Sequence, residues 1–134
     1  GQGTHVTVPV QGSGTFAVEA MITSFVPKSG KLLVVINGAY GQRARKIAEI
    51  AGRAVVTHET PEDTPPDLAA IEKLLAGDKA ITHVFAVHCE TTSGILNPIA
   101  EIAALVARQG RRLLVDSMSA FGAIEIDARK VPYD

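Results

Sequence analysis

Short β-branched runs alternate along the chain with stretches in which apolar residues recur every three or four positions. The first pattern predicts strands and the second amphipathic helices. His5 to Val10 has strand-like alternation. Ser13 to Phe25 has helical spacing, with Phe16, Ala20 and Thr23 or Ser24 a turn apart. Lys31 to Ile36 is a continuous apolar strand. Gln42 to Ala51 is a helix closed by Gly52, which suits a left-handed cap. Ala54 to Thr57 is a short strand, and Glu59 to Thr64 is a polar loop. Thr64 is placed as the cap of the next helix, with Pro65 first, Asp67 in the first turn and Gly77 at the end. Thr82 to Val87 is a strand. Asn97 is placed as a cap and Pro98 as the first residue of a helix whose stripe is Ile99, Ile102, Leu105 and Val106, ending at Gly110. Arg112 to Val115 is the last strand.

Strands rich in Val and Leu without polar alternation are buried on both faces. Alternating with helices, they predict an α/β fold of three layers, a mostly parallel sheet with helices on both faces. Such sheets bind ligands beyond the carboxyl ends of their strands. Five polar segments fall there and are expected to line one crevice: Gln11 to Thr15, Asn37 to Gly41, Thr57 to Thr60, His88 to Gly94 and Asp116 to Ser119.

Composition narrows the function. The 134 residues carry 13 basic and 14 acidic side chains, net −1, which argues against nucleic-acid binding by bulk electrostatics. No apolar run approaches the roughly 20 residues of a membrane span, so no membrane partner is expected. One cysteine rules out an internal disulfide and fits a reducing compartment, hence a cytoplasmic location. The start lacks a signal-peptide pattern. The opening residues and the end at Asp134 read as cuts through a longer protein, so residues 1–134 are expected to form part of a domain.

The strand-end segments hold the candidate chemistry. Gly12-Ser13-Gly14-Thr15 precedes a helix, where free amides and two hydroxyls suit a phosphate; a tight turn needing glycine is the plainer reading. Extended to Ala17, the run also matches the dinucleotide pattern G-x-G-x-x-A, but the place for a ribose-binding acid holds Asn37. Asp116 ends a buried strand and requires a partner, either a cation, a protonated ring nitrogen or a backbone amide. No second acid or histidine adjoins it, so a metal is not favoured. His88-Cys89 raises a thiol nucleophile, set against a buried inert cysteine. The hydroxyls from Thr91 to Ser93 suit a ligand or a turn. Tyr40 suits a planar ligand or loop packing.

Four segments together resemble the class V aminotransferases, pyridoxal-phosphate enzymes of fold type I. They are Ser13-Gly14-Thr15, Asn37-Gly38-Ala39-Tyr40-Gly41-Gln42-Arg43, His88 to Pro98 and Val115 to Gly122. The resemblance runs along essentially the whole chain and implies the central part of the large domain, without the small C-terminal domain. It implies that Ser13, Gly14 and Thr15 hold the phosphate of pyridoxal 5′-phosphate. Tyr40 would stack on the ring, Thr91 would lie near its phenolic oxygen, and Asp116 would pair with its nitrogen.

The resemblance also implies a Schiff-base lysine, expected beyond Asp134. Lys130 lies in a segment unlike the family's lysine loop. Lys28, Lys31, Lys46, Lys73 and Lys79 fall on helix faces, turns or strand starts. A small-molecule amino donor, a 2-oxo acid acceptor and a homodimer with shared sites follow from the same resemblance. Two other classes stay open at this point: a nicotinamide-dependent dehydrogenase through Gly12 to Ala17, and a non-catalytic α/β module.

Overall fold

The computed structural model describes Gly3 and residues 5–134. Its centre is a four-stranded parallel sheet in the order β2-β1-β3-β6, formed by β1 (Lys31–Ile36), β2 (Ala54–Glu59), β3 (Ile81–Val87) and β6 (Arg112–Asp116). A small antiparallel hairpin joins β4 (Cys89–Glu90) to β5 (Ile95–Leu96). The helices are α1 (Gly14–Phe25), α2 (Ala39–Ile50), α3 (Leu68–Gly77) and α4 (Ile99–Arg108). The expected α/β architecture is present.

Alternate residues of the strands feed two separate cores. Leu32, Val34 and Ile36 pack with Phe85, Val87 and Leu114 against Ile22 and Val26 at the end of α1 and Ala44 and Ala48 of α2. Leu33 and Val35 pack with Val84, Ala86 and Leu113 against Ile71 and Leu75 of α3 and the Ile99, Ile102, Ala103, Leu105 and Val106 face of α4. Helices therefore cover both faces. A Cβ on Gly41 would lie 3.0 Å from the Ile36 Cα and 3.1 Å from the Val35 oxygen. Glycine there, followed by Ala44 and Ala48, lets α2 approach β1 closely.

The strand order places the site. β1 leads outward through α2 to the edge strand β2, and α3 returns across β1 to β3. The direction of winding reverses between β1 and β3, which opens a crevice at their carboxyl ends.

Several boundaries differ from the sequence expectation. His5 to Val10 is not a strand. Val6 and Val8 are 88% and 73% exposed, and no neighbouring sheet edge pairs with this arm. His5 instead donates from Nε2 to the Tyr133 carbonyl at 3.1 Å and packs on its ring. On α1 the buried side is Ile22, flanked by Val18 and Met21, while Phe16 is exposed. Asp67, not Thr64, caps α3, its Oδ1 accepting from Ala69 at 2.8 Å. Thr64 and Pro65 each precede a proline and are held out of helical conformation.

α2 begins at Ala39 rather than Gln42, so Tyr40 is a helix residue and not a loop aromatic. β2 extends through His58 to Glu59, β3 starts one residue early, and β6 includes Asp116. Pro98 is the cap position of α4. The Asn97 side chain does not cap; it exchanges bonds with Asn37 at 2.8 and 3.1 Å and donates to the Val87 carbonyl at 2.8 Å.

Candidate active site

A cleft of about 170 Å³ lies at the carboxyl ends of β1, β3 and β6, on the face covered by α1 and α2. Ser13, Gly14, Thr15, Tyr40, Thr91 and Asp116 all line it. Four of the five strand-end segments thus converge. The fifth does not. His58 accepts from the Asp67 amide, Glu59 binds Gln42 and Arg45, and Thr60 donates its amide to Ile36. β2 is an edge strand, so its end lies away from the crevice and its polar groups serve the local fold.

One wall is the start of α1. Ser13 Oγ accepts from the Phe16 amide at 3.3 Å, and the Ser13 carbonyl accepts from Ala17 at 3.1 Å. The amides of Gly14 and Thr15 are the first two of the helix and have no intrahelical acceptor. They leave partial positive charge at the mouth of the cleft. Arg43 is the one cation lining the cleft among the described residues. Its guanidinium donates to Thr15 Oγ1 at 3.1 Å and lies 4.9 Å from the centre of the Tyr40 ring.

The opposite wall comes from β4 and the loop after β6. Asp116 Oδ1 accepts from the Met118 amide at 3.0 Å, so part of the plainer reading of this carboxylate holds. Its Oδ2 has no protein partner among the described residues and is available to a ligand. Thr91 and Ser119 share a hydrogen bond of 2.6 Å. Cys89, expected to be buried, is only partly so and lines the cleft. His88 lies beneath it, 5% exposed, with Nδ1 3.0 Å from Ser117 Oγ; burial lowers its pKa and favours the neutral ring. Among the described residues no basic side chain bonds Cys89, so the geometry lends no support to a thiol nucleophile.

Sequence reasoning gave no role to Arg43, Ser119 or Met118, and missed Glu90 entirely. Glu90 is fully buried and bonds the first turn of α2. An acid within a run of hydroxyls was the signal, but its partners lie some 50 residues away in sequence.

The dinucleotide reading loses its supports. Gly12 to Ala17 follows an exposed arm rather than a strand, and Asn37 is 2% exposed with its amide held by Asn97. Comparison with known proteins then gives the class. Residues 4–134 match the aminotransferase class-V family, and the chain belongs to that family.

Among curated relatives, it is 60% identical over its full length to the 2-aminoethylphosphonate–pyruvate transaminase of Pseudomonas aeruginosa strain UCBPP-PA14, and 56% to that of Pseudomonas putida strain GB-1. It spans 36% of the length of each. Two crystal structures superpose with a TM-score of 0.86. One is pyridoxamine–pyruvate aminotransferase from Mesorhizobium loti, 29% identical over 92% of this chain and 31% of that one. The other is an alanine–glyoxylate aminotransferase from Nostoc sp., 28% identical over 93% of this chain and 33% of that one.

The cofactor of this family is pyridoxal 5′-phosphate, and the cleft fits it. Open amides and hydroxyls at the start of α1 suit its phosphate. The Asp116 oxygen without a partner among the described residues suits a protonated ring nitrogen, and Tyr40 brings a ring into the same cleft. No lysine lines the cleft among the described residues.

Proposed function

We propose that the protein to which this chain contributes transfers an amino group from 2-aminoethylphosphonate to pyruvate, giving phosphonoacetaldehyde and alanine. The cofactor assignment is carried by the convergence of Ser13, Gly14, Thr15, Tyr40, Thr91 and Asp116 on one cleft. The substrate assignment is supported by 60% identity to a curated phosphonate transaminase, against 28% to the alanine–glyoxylate enzyme.

In this reading Ser13 and Thr15, with the amides of Gly14 and Thr15, hold the cofactor phosphate at the positive end of α1. Tyr40 lies against the ring. Thr91, fixed by Ser119, faces its phenolic oxygen. Asp116 keeps the ring nitrogen protonated through its free oxygen. The bound cofactor supplies a ring that takes up negative charge when the substrate loses its proton. The covalent lysine comes from outside these 134 residues, the protein works as a homodimer, and it resides in the cytoplasm. No helix among the described residues is long and apolar enough to cross a membrane.

The test is steady-state alanine formation by the full-length protein from 2-aminoethylphosphonate and pyruvate, beside alanine and glyoxylate as the competing pair. Phosphonate turnover at least tenfold faster is expected. Faster exchange between alanine and glyoxylate would replace the substrate assignment. Asp116→Asn removes a charge-assisted bond worth about 2–3 kcal/mol, so kcat should fall roughly 30- to 150-fold. A loss of less than threefold would make Asp116 a backbone cap only.

A further inference from the structure

We infer that Glu90 is a positioning residue of the cleft. Its buried carboxylate clasps the first turn of α2 and so seats the Tyr40 ring and the Arg43 guanidinium beside the phosphate turn. The inference rests on the cofactor reading above and concerns a residue that touches no ligand in it.

Glu90 has no exposed surface. Oε1 accepts from the Tyr40 amide at 3.3 Å and from Thr92 Oγ1 at 3.0 Å, and Oε2 accepts from the Gly41 amide at 3.3 Å. Thr92 Oγ1 in turn accepts from the Ala39 amide at 3.3 Å. The first three amides of α2 are therefore closed by two side chains from the far side of the cleft. Among the described residues no basic side chain pairs with Glu90. The positive end of the helix and the three donors compensate the buried charge.

Gly38 shows that space is reserved for this clasp. Its φ of 169° is extended backbone open to any residue. A Cβ there would lie 2.2 Å from Glu90 Cγ, 2.4 Å from Cδ and 2.7 Å from Thr92 Oγ1. Glycine is needed for room, not for its torsions.

An ordinary cap would satisfy α2 from its own preceding residue. Here the cap belongs to β4, next to Cys89 and Thr91, both of which line the cleft. The carboxylate thus fixes one wall against the other. Tyr40 supplies one of the clasped amides, and Arg43, one turn on, reaches Thr15. A loosened clasp would move ring and guanidinium together.

The test uses the full-length protein with Glu90→Gln, which keeps shape but turns an NH2 group toward an amide donor, and Gly38→Ala, which displaces the carboxylate from the other side. Hydrogen exchange is read first without cofactor. Exchange of the peptide spanning residues 39–41 should rise at least tenfold in both variants, with β3 and α4 unchanged. Pyridoxal 5′-phosphate should then bind about tenfold more weakly, with altered visible circular dichroism, while far-ultraviolet dichroism stays as in the wild type. Unchanged exchange and cofactor affinity would overturn the inference. So would a uniform rise across β3 and α4, which marks a merely structural carboxylate. If wild-type protein bound no cofactor, the cofactor reading would fall, while the exchange result would still judge the clasp.

Discussion

α1 and α2 both start at the same cleft, yet their ends are finished in opposite ways. At α1, Ser13 takes the amide of Phe16 and leaves those of Gly14 and Thr15 facing no acceptor among the described residues. At α2, Glu90 and Thr92 close the amides of Ala39, Tyr40 and Gly41. Both starts carry the positive end of a helix dipole. An anion is drawn to the first and excluded from the second, where a carboxylate already sits. In the proposed reading the difference makes α1 the wall that takes the phosphate and α2 the wall that presents a ring and a cation. A glycine-rich segment before a helix is thus no anion site by itself; what matters is whether another side chain has already taken its amides.

Exchanging the two finishes should give the largest effect. Thr15→Glu puts a carboxylate at the open start, much as Glu90 sits at the closed one. The fold should tolerate it, because the helix dipole and Arg43 neutralise the new charge, with a gain of about 0.3–1 kcal/mol at a first-turn acid. A phosphate about 4 Å away would lose about 4 kcal/mol per pair of charges at an effective dielectric near 20. Affinity of the full-length protein for pyridoxal 5′-phosphate should drop roughly 10³-fold. Binding within threefold of wild type, measured by titration, would remove the phosphate from α1.

A smaller change sharpens the same contrast. Ser13→Ala deletes the one side-chain cap of α1 and should cost about 1 kcal/mol of stability. The loss is read as a lower midpoint in urea, with cofactor affinity weakened at least threefold. An unchanged midpoint would show that the Ser13–Phe16 bond contributes nothing and that this start is ordered by its ligand.

The open start was legible in the sequence because its chemistry is local. Glycines and hydroxyls directly precede a helical pattern, whereas the strand-end rule reached them through a strand at His5 to Val10 that does not form and also gathered Thr57 to Thr60, which lie away from the cleft. Asp116 was legible for the same reason, a charged residue ending an apolar run. Glu90 was not, since its partners are backbone amides near residue 40, and no periodicity encodes which amides a carboxylate will find. The strands and helices followed from apolar spacing, but caps were settled by competition. Thr64 and Asp67 both suit the start of α3, and the two prolines between them decide for Asp67. The arm at Val6, Val8 and Val10 alternates like a strand yet pairs with neither edge of the sheet. Pairing is a property of the sheet rather than of the segment.

The smallest expected effect concerns the residue beneath the wall built from β4 and the loop after β6. His88 precedes the hairpin that carries Glu90, donates its amide to the Asp116 carbonyl at 2.8 Å, and contacts Ser117 through Nδ1. Burial lowers its pKa from 6.5, and burial also lowers those of His58 and His83. Between the folded and unfolded values the unfolded chain binds more protons, so stability rises with pH there. The histidine contribution is fully present above pH 6.5. It declines as the pH falls from 6.5 to the folded pKa and changes no further below it. The melting temperature of the full-length protein should therefore decrease from pH 7.5 to pH 5.5. His88→Asn retains an oxygen able to accept from Ser117 but cannot titrate. Its decrease should be shallower than that of the wild type, with His58 and His83 supplying the remainder. Parallel curves for variant and wild type would mean that His88 takes up its proton in the folded state as readily as in the unfolded one. The ring would then not be held neutral beneath the Asp116 loop, and the tie between the hairpin and β6 would rest on its backbone bond to Asp116.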